Sequence, residues 1–361
     1  MMRRVEFVAA VRPEAGGLPA APPGARPGLR NGGNTCYLNA VVQCLAHLPL
    51  RLEVPLRAEK PFVAAALRDV IRRRDPAALI ARLADMGFSR TQHDAHEFLR
   101  ALVDAAGDGF TPNPFEVFGG VLASTLLCPC GHQSRSLEPF HDLSVEPRNT
   151  VDESLRSFLA SETLDRENSW FCEKCRRRVR AVKTLRISKA PEVLVIHLKR
   201  YSGRGKIDRH VAFAGGVRDY ALRAVLVHDG RTAVSGHYAS FCRDQQEGAW
   251  YLFDDERVAR VDENTVFSQQ AYILFYVKKK QQQRPARPFF HAKRRRRWIL
   301  IVPTCRRRRR ESHGEVEAED PRDQDEDAPP PPTKSPFHAA PYDYWDAALD
   351  KPRLSKKLKK F

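Results

Sequence analysis

The residue with the clearest chemical potential is Cys36, which follows a glycine-rich polar turn. Asn34 and Thr35 can cap a helix. Apolar residues then recur at helical spacing, at Leu38, Val41, Val42 and Leu45. Cys36 is therefore predicted in the first helical turn, where unpaired N–H groups and the helix dipole favour the nucleophilic thiolate. The alternative is a cysteine that only fills space, as we predict for Cys44.

A nucleophilic cysteine needs a base, and His237 is the best candidate. Two β-type runs flank the polar stretch 244–248 and predict an antiparallel hairpin. A two-residue turn at 245–246 places His237 directly opposite Asp254, and moving that turn by one residue leaves Asp254 diagonal on the same face. A three-residue loop instead brings Asp255 opposite. A carboxylate in any of these positions can orient the imidazole and stabilise its cation. The alternative is a half-buried strand histidine.

The elements that must position these groups change in type along the chain. Residues 36–105 are predicted to be mainly helical, with helices at 62–74, 77–83 and 94–105. From residue 115 onward short β-type runs follow, with strands predicted at 185–187, 193–198, 224–227, 238–242, 250–253 and 271–277, and one helix at 151–159. A helical half followed by a sheet half predicts an α+β fold rather than a parallel βαβ fold.

Composition divides the 361 residues into three regions. Residues 1–27 are a Pro/Gly/Ala-rich leader, predicted to be flexible, and residues 28–278 are the predicted folded domain. Residues 279–361 carry 22 Lys/Arg and 12 Asp/Glu, against 39 and 32 in the rest of the chain. Such basic and acidic blocks predict a disordered tail. Its basic clusters predict a nuclear location, with a cytoplasmic one as the alternative, or else a solvated tail with no targeting role.

Cysteine usage and hydropathy indicate the environment of the chain. No apolar run approaches the roughly 20 residues that span a bilayer, and no signal peptide is recognised. Eight cysteines with two tight pairs and no regular framework predict a reducing compartment. There, metal ligation or catalysis is favoured over disulfides. We accordingly predict no membrane association. A monomer is also predicted.

The two tight pairs, Cys128/Cys130 and Cys172/Cys175, lie about forty residues apart and could form a structural zinc site. The second pair has the spacing of a zinc knuckle, but only one residue separates the first two cysteines. Three possibilities therefore stay open. The Cys-x-Cys turn closes the site, His132 replaces one cysteine, or the metal is absent.

Five stretches together resemble one family, the ubiquitin-specific proteases, which are papain-like cysteine peptidases. They are residues 28–39, 92–99, 191–201, 235–238 and 250–255. They occur in the family's order over roughly residues 28–278. The resemblance implies a papain-like fold with a helical thumb, a β-sheet palm and zinc-ribbon-like fingers. The four cysteines would tie the fingers through a structural zinc ion.

The resemblance also implies roles for individual residues. Cys36 would be the nucleophile, His237 the base, Asp254 its orienter and Asn31 the oxyanion donor. Without the resemblance, Asn31 would be interpreted only as a turn-forming residue beside Gly32 and Gly33. The residues implied to contact the C-terminal tail of ubiquitin are Gln92, Asp94, Glu97 and Tyr238. The implied reaction is hydrolysis of the peptide or isopeptide bond after the Gly-Gly end of ubiquitin. It proceeds through a thioester acyl-enzyme and needs no catalytic cofactor.

Two other functions are alternatives to this one. A ubiquitin-binding adaptor without activity would be expected to lack a member of the Cys36, His237 and Asp254 set, and all three are present. A tail-driven RNA-binding or nucleolar factor would use residues 279–361. That tail has few aromatic residues among its arginines, which favours electrostatic association over base recognition. Its end, from Tyr342 onward, resembles nucleolar members of the family.

Overall fold

The computed structural model describes residues 27–50, 62–107, 116–202 and 205–279. The predicted leader, apart from residue 27, and the predicted tail, apart from residue 279, lie outside these ranges. The predictions of flexibility, disorder and nuclear location that rest on them stay predictions. In the described part of the chain, no helix is long and apolar enough to cross a membrane.

The helices lie mostly in the first half of the described chain. They are α1 Cys36–Ala46, α2 Phe62–Arg73, α3 Ala77–Ile80, α4 Ala95–Gly107, α5 Val151–Leu159 and α6 Glu263–Phe267. The helix predicted at 77–83 is shorter than expected and ends at Ile80. The chain then passes through turns into a short 3₁₀ helix, Ala84–Met86, whose C-cap residue Gly87 has a φ of +82°.

Sixteen strands are present within the described residues. The first eight are β1 Gly120–Leu127, β2 Gln133–Phe140, β3 Leu143–Val145, β4 Glu162–Leu164, β5 Trp170–Cys172, β6 Arg177–Val179, β7 Ala181–Lys189 and β8 Val193–Leu198. The others are β9 Tyr201–Ser202, β10 Gly205–Lys206, β11 Gly216–Val217, β12 Tyr220–Thr232, β13 Ser235–Arg243, β14 Trp250–Asp254, β15 Arg257–Val261 and β16 Ala271–Lys278.

The strands form one large sheet, one smaller sheet and two ribbons. The large sheet has the order β15-β14-β13-β12-β16-β8-β3, with β11 paired to β12. The smaller sheet has the order β2-β1-β7-β4, while β5 pairs with β6 and β9 with β10. The α+β prediction is confirmed. So is the implied division into a helical thumb (α1 to α4), a palm (the large sheet) and fingers (the smaller sheet with the β5–β6 ribbon).

The palm sheet is covered on both faces, which explains the nearly continuous apolar sequence of β8. Val193 and Val195 of this strand pack in the cluster that contains α1, α2 and α4. Leu194, Ile196 and Leu198 point to the other face and pack with apolar residues of α5. Every residue of α1 is buried, as expected for a helix enclosed on all sides. Within this packing α1 lies against β13 and β14 of the sheet.

The hairpin of β13 and β14 forms as predicted, but with one of the alternative registers. Cys242 pairs with Tyr251, which leaves Asp254 diagonal to His237 on the same face. Of the registers that the sequence left open, the diagonal one is therefore the one that forms. The reason is the loop, since Asp244 Oδ1 accepts hydrogen bonds from the N–H groups of Gln246 and Glu247 and stabilises a longer turn.

Candidate active site

Cys36 is the first residue of α1, and its side chain is almost fully buried. Thr35 occupies the N-cap position, but its side chain does not cap the helix. Instead, its hydroxyl accepts a hydrogen bond from the N–H of Gly32 at 2.9 Å. The expected Thr35 cap is therefore wrong. The first-turn N–H groups beside Cys36 are not engaged by that side chain, which suits a helix start that faces an anion.

Asn31 organises the turn that leads into α1. Its Oδ1 accepts hydrogen bonds from the N–H of Gly33 at 3.0 Å and from the N–H and hydroxyl of Thr35, both at 3.2 Å. Its Nδ2 donates to Asp255 Oδ2 at 2.8 Å. These bonds determine which way the amide faces, because a carboxylate can only accept from the NH₂ group. Nδ2 is thus left with a second N–H.

Asp255 ties this turn and α1 to the turn between β14 and β15. Its Oδ2 binds Asn31, its Oδ1 accepts from Asn39 Nδ2 at 2.8 Å, and its backbone carbonyl accepts from the N–H of Leu29 at 2.8 Å. We call this set of bonds the Asp255 clamp. Gly28 is required beside it, because a Cβ there would lie 2.4 Å from the Asp255 carbonyl oxygen.

The sequence did not reveal the role of Asn39 in the clamp. Its side chain is only 1% exposed, and its Nδ2 also lies 3.3 and 3.2 Å from the carbonyl oxygens of Leu29 and Arg30. The available signal was a polar residue three positions after Cys36, within a helix that is otherwise largely apolar. A buried amide in such a helix must find hydrogen-bond partners, but sequence alone does not identify them.

His237 lies between the predicted nucleophile and the predicted orienter. Its Nε2 is 2.5 Å from Asp254 Oδ1, and the ring also forms a hydrogen bond with Cys36, for which Nδ1 is the remaining nitrogen. The bond to Asp254, and then the bond to Cys36, raise the pKa of His237 to about 10, although burial opposes the charge. The structure therefore brings Cys36, His237 and Asp254 together and favours an imidazolium at neutral pH.

Gln92 supports the strand that carries His237. Its Nε2 donates to the Gly236 carbonyl at 3.1 Å, and its Oε1 accepts from the Gly236 N–H at 3.2 Å. Gly236 has a φ of +147°, and a Cβ there would lie 2.2 Å from the Asp229 carbonyl oxygen. Both ends of the Gln92 amide are thus engaged with backbone. This geometry supports a positioning role, and its predicted contact with a substrate stays a prediction.

The other three predicted substrate-binding residues differ in their burial and in how many of their polar atoms are already hydrogen-bonded. Asp94 Oδ1 accepts from the N–H groups of His96 at 2.6 Å and Glu97 at 3.4 Å, and its Oδ2 accepts from the Tyr272 hydroxyl at 2.6 Å. Tyr238 is buried, and its hydroxyl donates to the Ala233 carbonyl at 2.5 Å. Glu97 is exposed and forms no ion pair with any residue that the structure describes. Of the two carboxylates among these residues, Asp94 and Glu97, the one that is exposed and without an ion pair to the described part of the chain is Glu97.

The four cysteines predicted to bind zinc meet at the ends of two finger hairpins. Their sulfur atoms all lie within 4.8 Å of one another. Three of the S···S distances are 3.2 Å for Cys128–Cys130, 3.7 Å for Cys128–Cys175 and 4.0 Å for Cys130–Cys172. A tetrahedral ion with Zn–S bonds of about 2.3 Å requires S···S distances of roughly 3.8 Å. The donor set therefore fits a structural zinc ion.

The conformation of the Cys-x-Cys turn bears on whether both of its cysteines can close the zinc site. Gly131 adopts a φ of +82°, and its N–H donates to the Cys128 carbonyl at 2.9 Å, so the chain reverses within the motif. The ring of His132 stacks on Trp170 with 6.0 Å between centroids and is not part of the four-residue group. The geometry thus favours closure by Cys128 and Cys130 over substitution by His132.

Comparisons with known proteins agree with these features. A family model described as "Ubiquitin carboxyl-terminal hydrolase" matches residues 27–276. "Ubiquitin carboxyl-terminal hydrolase 23" of Arabidopsis thaliana is 36% identical over 302 residues, covering 69% of this chain and 35% of that protein. "Ubiquitin carboxyl-terminal hydrolase 17-like protein E" of Mus musculus is 34% identical, covering 71% and 56%. The chain thus spans roughly a third to just over half of these two relatives.

Solved structures give the same result for the fold. The SAGA Ubp8/Sgf11/Sus1/Sgf73 DUB module bound to ubiquitin aldehyde matches with a TM-score of 0.61 and 25% identity, covering 71% of this chain and 70% of that chain. A yeast SAGA DUB module matches with a TM-score of 0.62 and 26% identity, covering 71% and 69%. The match to each structure covers 71% of this chain, about as much of it as the structure describes.

The first prediction concerns the proton on His237. We expect an NMR titration of its ring to give a pKa near 10, and Asp254→Asn to move this pKa toward the ordinary value of about 6.5. Because the folded pKa is the higher one, the stability that this proton contributes is complete below about pH 6.5 and is lost as the pH rises toward 10. A wild-type pKa near 6.5 would contradict the prediction.

Proposed function

The chain belongs to the ubiquitin carboxyl-terminal hydrolase family of cysteine peptidases, and we propose that it hydrolyses the bond after the C-terminal Gly-Gly of ubiquitin. The observation that carries this proposal is the contact of Cys36 with His237, which is in turn bonded to Asp254, inside the matched region. Ubiquitin and ubiquitinated proteins are the proposed partners, and the proposed active form is a monomer. A DUB module with a similar fold binds ubiquitin aldehyde.

In the proposed reaction, the Cys36 thiolate attacks the carbonyl carbon of the terminal glycine of ubiquitin. His237 donates its proton to the departing lysine ε-amine, which leaves a thioester between Cys36 and ubiquitin. The neutral imidazole then removes a proton from a water molecule that attacks the thioester. This step releases the ubiquitin carboxylate and restores the Cys36 and His237 pair. Asp254 keeps the ring oriented and stabilises its cationic form, and no cofactor enters these steps.

The tetrahedral intermediates carry an oxyanion, for which Asn31 is the proposed side-chain donor. One N–H of its Nδ2 is directed to Asp255, and its Oδ1 is held by Gly33 and Thr35. The amide therefore cannot turn freely, and its second N–H is available to the reacting carbonyl oxygen. The N–H groups at the start of α1 would supply further donors. Donors fixed before the reaction stabilise developing charge without reorganisation.

In the proposed channel for the ubiquitin tail, the role of each of the four candidate residues depends on its exposure and on the hydrogen bonds it already forms. Glu97 is the proposed partner for an arginine of that tail, because it is exposed and forms no ion pair with the described residues. Asp94 can accept further hydrogen bonds, but Tyr272 and the start of α4 fix its orientation. Gln92 and Tyr238 would shape the wall through their bonds to the backbone.

The enzyme assignment is tested with a ubiquitin probe that carries a C-terminal electrophile. We expect the wild-type chain to be labelled, Cys36→Ala to remain unlabelled, and His237→Ala to be labelled much more slowly. Cys44→Ala removes a buried thiol from the same helix and is the matched control that should keep labelling. A folded wild-type chain that is not labelled would overturn the proposed activity.

The oxyanion role is tested with Asn31→Ala and a ubiquitin substrate that has a fluorogenic leaving group. We expect kcat to fall by about 10²- to 10³-fold with little change in KM, as for other side-chain donors of this kind. Asp255→Ala should cause a smaller fall in kcat, because it frees the Asn31 amide without removing it. The exposed Asn264→Ala is the control. If Asn31→Ala changes only KM or thermal stability, the amide is not an oxyanion donor.

We further propose that Cys128, Cys130, Cys172 and Cys175 hold one zinc ion that stabilises the fingers. With four protein ligands no coordination position remains for a reacting water, so its role would be structural. Metal analysis of the purified chain should give about one zinc per molecule. Cys175→Ser or a chelator should remove it and lower the Tm. A folded wild-type chain without zinc would show that the four thiols remain reduced and unligated.

A further inference from the structure

The hairpin of β5 and β6 concentrates positive charge away from the residues of the proposed reaction. Its residues 170–180 contain one acidic residue and five basic ones, namely Lys174, Arg176, Arg177, Arg178 and Arg180. All five basic side chains are exposed. We call these five residues together with Phe171 the basic knuckle. Among the described strands, β5 and β6 pair only with each other, whereas Cys36, His237 and Asp254 lie on α1 and on the palm strands β13 and β14.

An exposed aromatic ring lies on the same face as part of this charge. Phe171 pairs directly with Arg178 across the ribbon, so both side chains point to the same face. The Phe171 side chain is 51% exposed, which is unusual for a phenylalanine. Arg178 Nη1 donates to the Ser169 carbonyl at 2.8 Å. This bond holds the guanidinium close to the ribbon.

The charges of the other four cations are not neutralised by ion pairs with the described residues. Within the part of the chain that the structure describes, Lys174, Arg176, Arg177 and Arg180 form no ion pair. The only acidic residue in the hairpin is Glu173, which is also exposed. Four unpaired cations within seven residues produce a local positive potential that attracts an anionic partner.

The backbone under these side chains is well fixed. Cys172 and Val179 are buried beneath the ribbon, and the N–H of Arg176 donates to the Cys172 carbonyl at 2.8 Å. The Cys175 N–H points to the Cys172 sulfur at 3.4 Å. The arginines therefore project from a rigid base, which lowers the entropy that a ligand would have to overcome on binding.

We propose that the basic knuckle binds single-stranded nucleic acid. Its four unpaired cations contact phosphates, and a base stacks on Phe171 beside the Arg178 guanidinium. Phosphate contacts supply affinity that falls with salt, and stacking on an aromatic ring accepts any base. An acidic protein surface could use the same charges, and aromatic rings also pack in protein interfaces. What is particular to a nucleic acid strand is that a base stacks flat on a ring such as Phe171 while the adjoining phosphate reaches a cation such as Arg178, its cross-strand neighbour. The exposed ring thus favours nucleic acid as the ligand.

The test uses the full-length chain with fluorescent 15-nucleotide oligo(U) RNA and oligo(dT) DNA, and fluorescence anisotropy at several salt concentrations. The double variant Arg176→Gln/Arg177→Gln should reduce the slope of log K against log salt by about 1.4, because each lost contact with a single strand is worth about 0.7. The control is Arg72→Gln/Arg73→Gln, an exposed arginine pair at the end of α2 with the same loss of charge. It should leave the slope unchanged.

Phe171 is tested separately at constant salt. Phe171→Ala should weaken binding by about tenfold without changing the salt slope, and Phe171→Tyr should retain wild-type affinity. Comparison of the RNA and DNA oligomers distinguishes the two kinds of strand. Thermal unfolding of every variant confirms that it is folded.

Several results would overturn the proposal. If the α2 control weakens binding as much as the knuckle variant, the interaction reflects total charge only. If neither knuckle variant changes binding, other basic segments account for it. If Phe171→Ala leaves nucleic acid binding intact but slows labelling by the ubiquitin probe, this face contacts ubiquitin instead.

Discussion

Two consecutive carboxylates between β14 and β15 determine the geometry on which the active site depends. Asp254 ends β14 and holds the ring of His237, while Asp255 binds Asn31 and Asn39. These neighbouring residues reach different segments because Asp254 is the last residue of the strand, whereas Asp255 already belongs to the turn. Asp255 also adopts a φ of +51°, which turns the chain sharply after Asp254. One short turn thus sets the position of the proposed nucleophile Cys36 relative to the proposed base His237, across about 200 residues of sequence.

The buried polar residues of α1 extend the same constraint. Asn39 and Gln43 lie on a helix that is enclosed on all sides, and His47 is the buried C-cap residue that follows it. An unpaired polar group is costly in such surroundings. Gln43 Nε2 donates to the Pro27 carbonyl at 3.1 Å, and His47 Nδ1 lies 2.7 Å from the Gln43 carbonyl oxygen. Asn39 and Gln43 thereby attach the preceding loop to the helix at two points. Packing fixes Cys36, and these amides fix the loop around it.

The sequence predicted what periodicity and local spacing encode, and little of what depends on distant partners. The start of α1 at Cys36, the strand at Val193–Leu198 and the hairpin that carries His237 all follow from local patterns. The hairpin register did not, because it depends on two backbone bonds to the side chain of Asp244. Closure of the Cys-x-Cys turn could be stated only as one of three options, since it depends on the left-handed conformation of Gly131.

The same distinction explains why the roles of polar residues were the hardest to predict. The resemblance predicts that Gln92 binds the substrate, and the structure shows both ends of its amide bonded to the backbone of Gly236, 144 residues away. No side-chain pattern in a sequence can identify a backbone partner. The pKa of His237, raised to about 10 mainly by its hydrogen bond to Asp254, means that the ring already carries its proton at neutral pH. In the proposed reaction this cation would supply the proton for departure of the amine, and the same bond to Asp254 would favour return of the proton to the ring when water attacks.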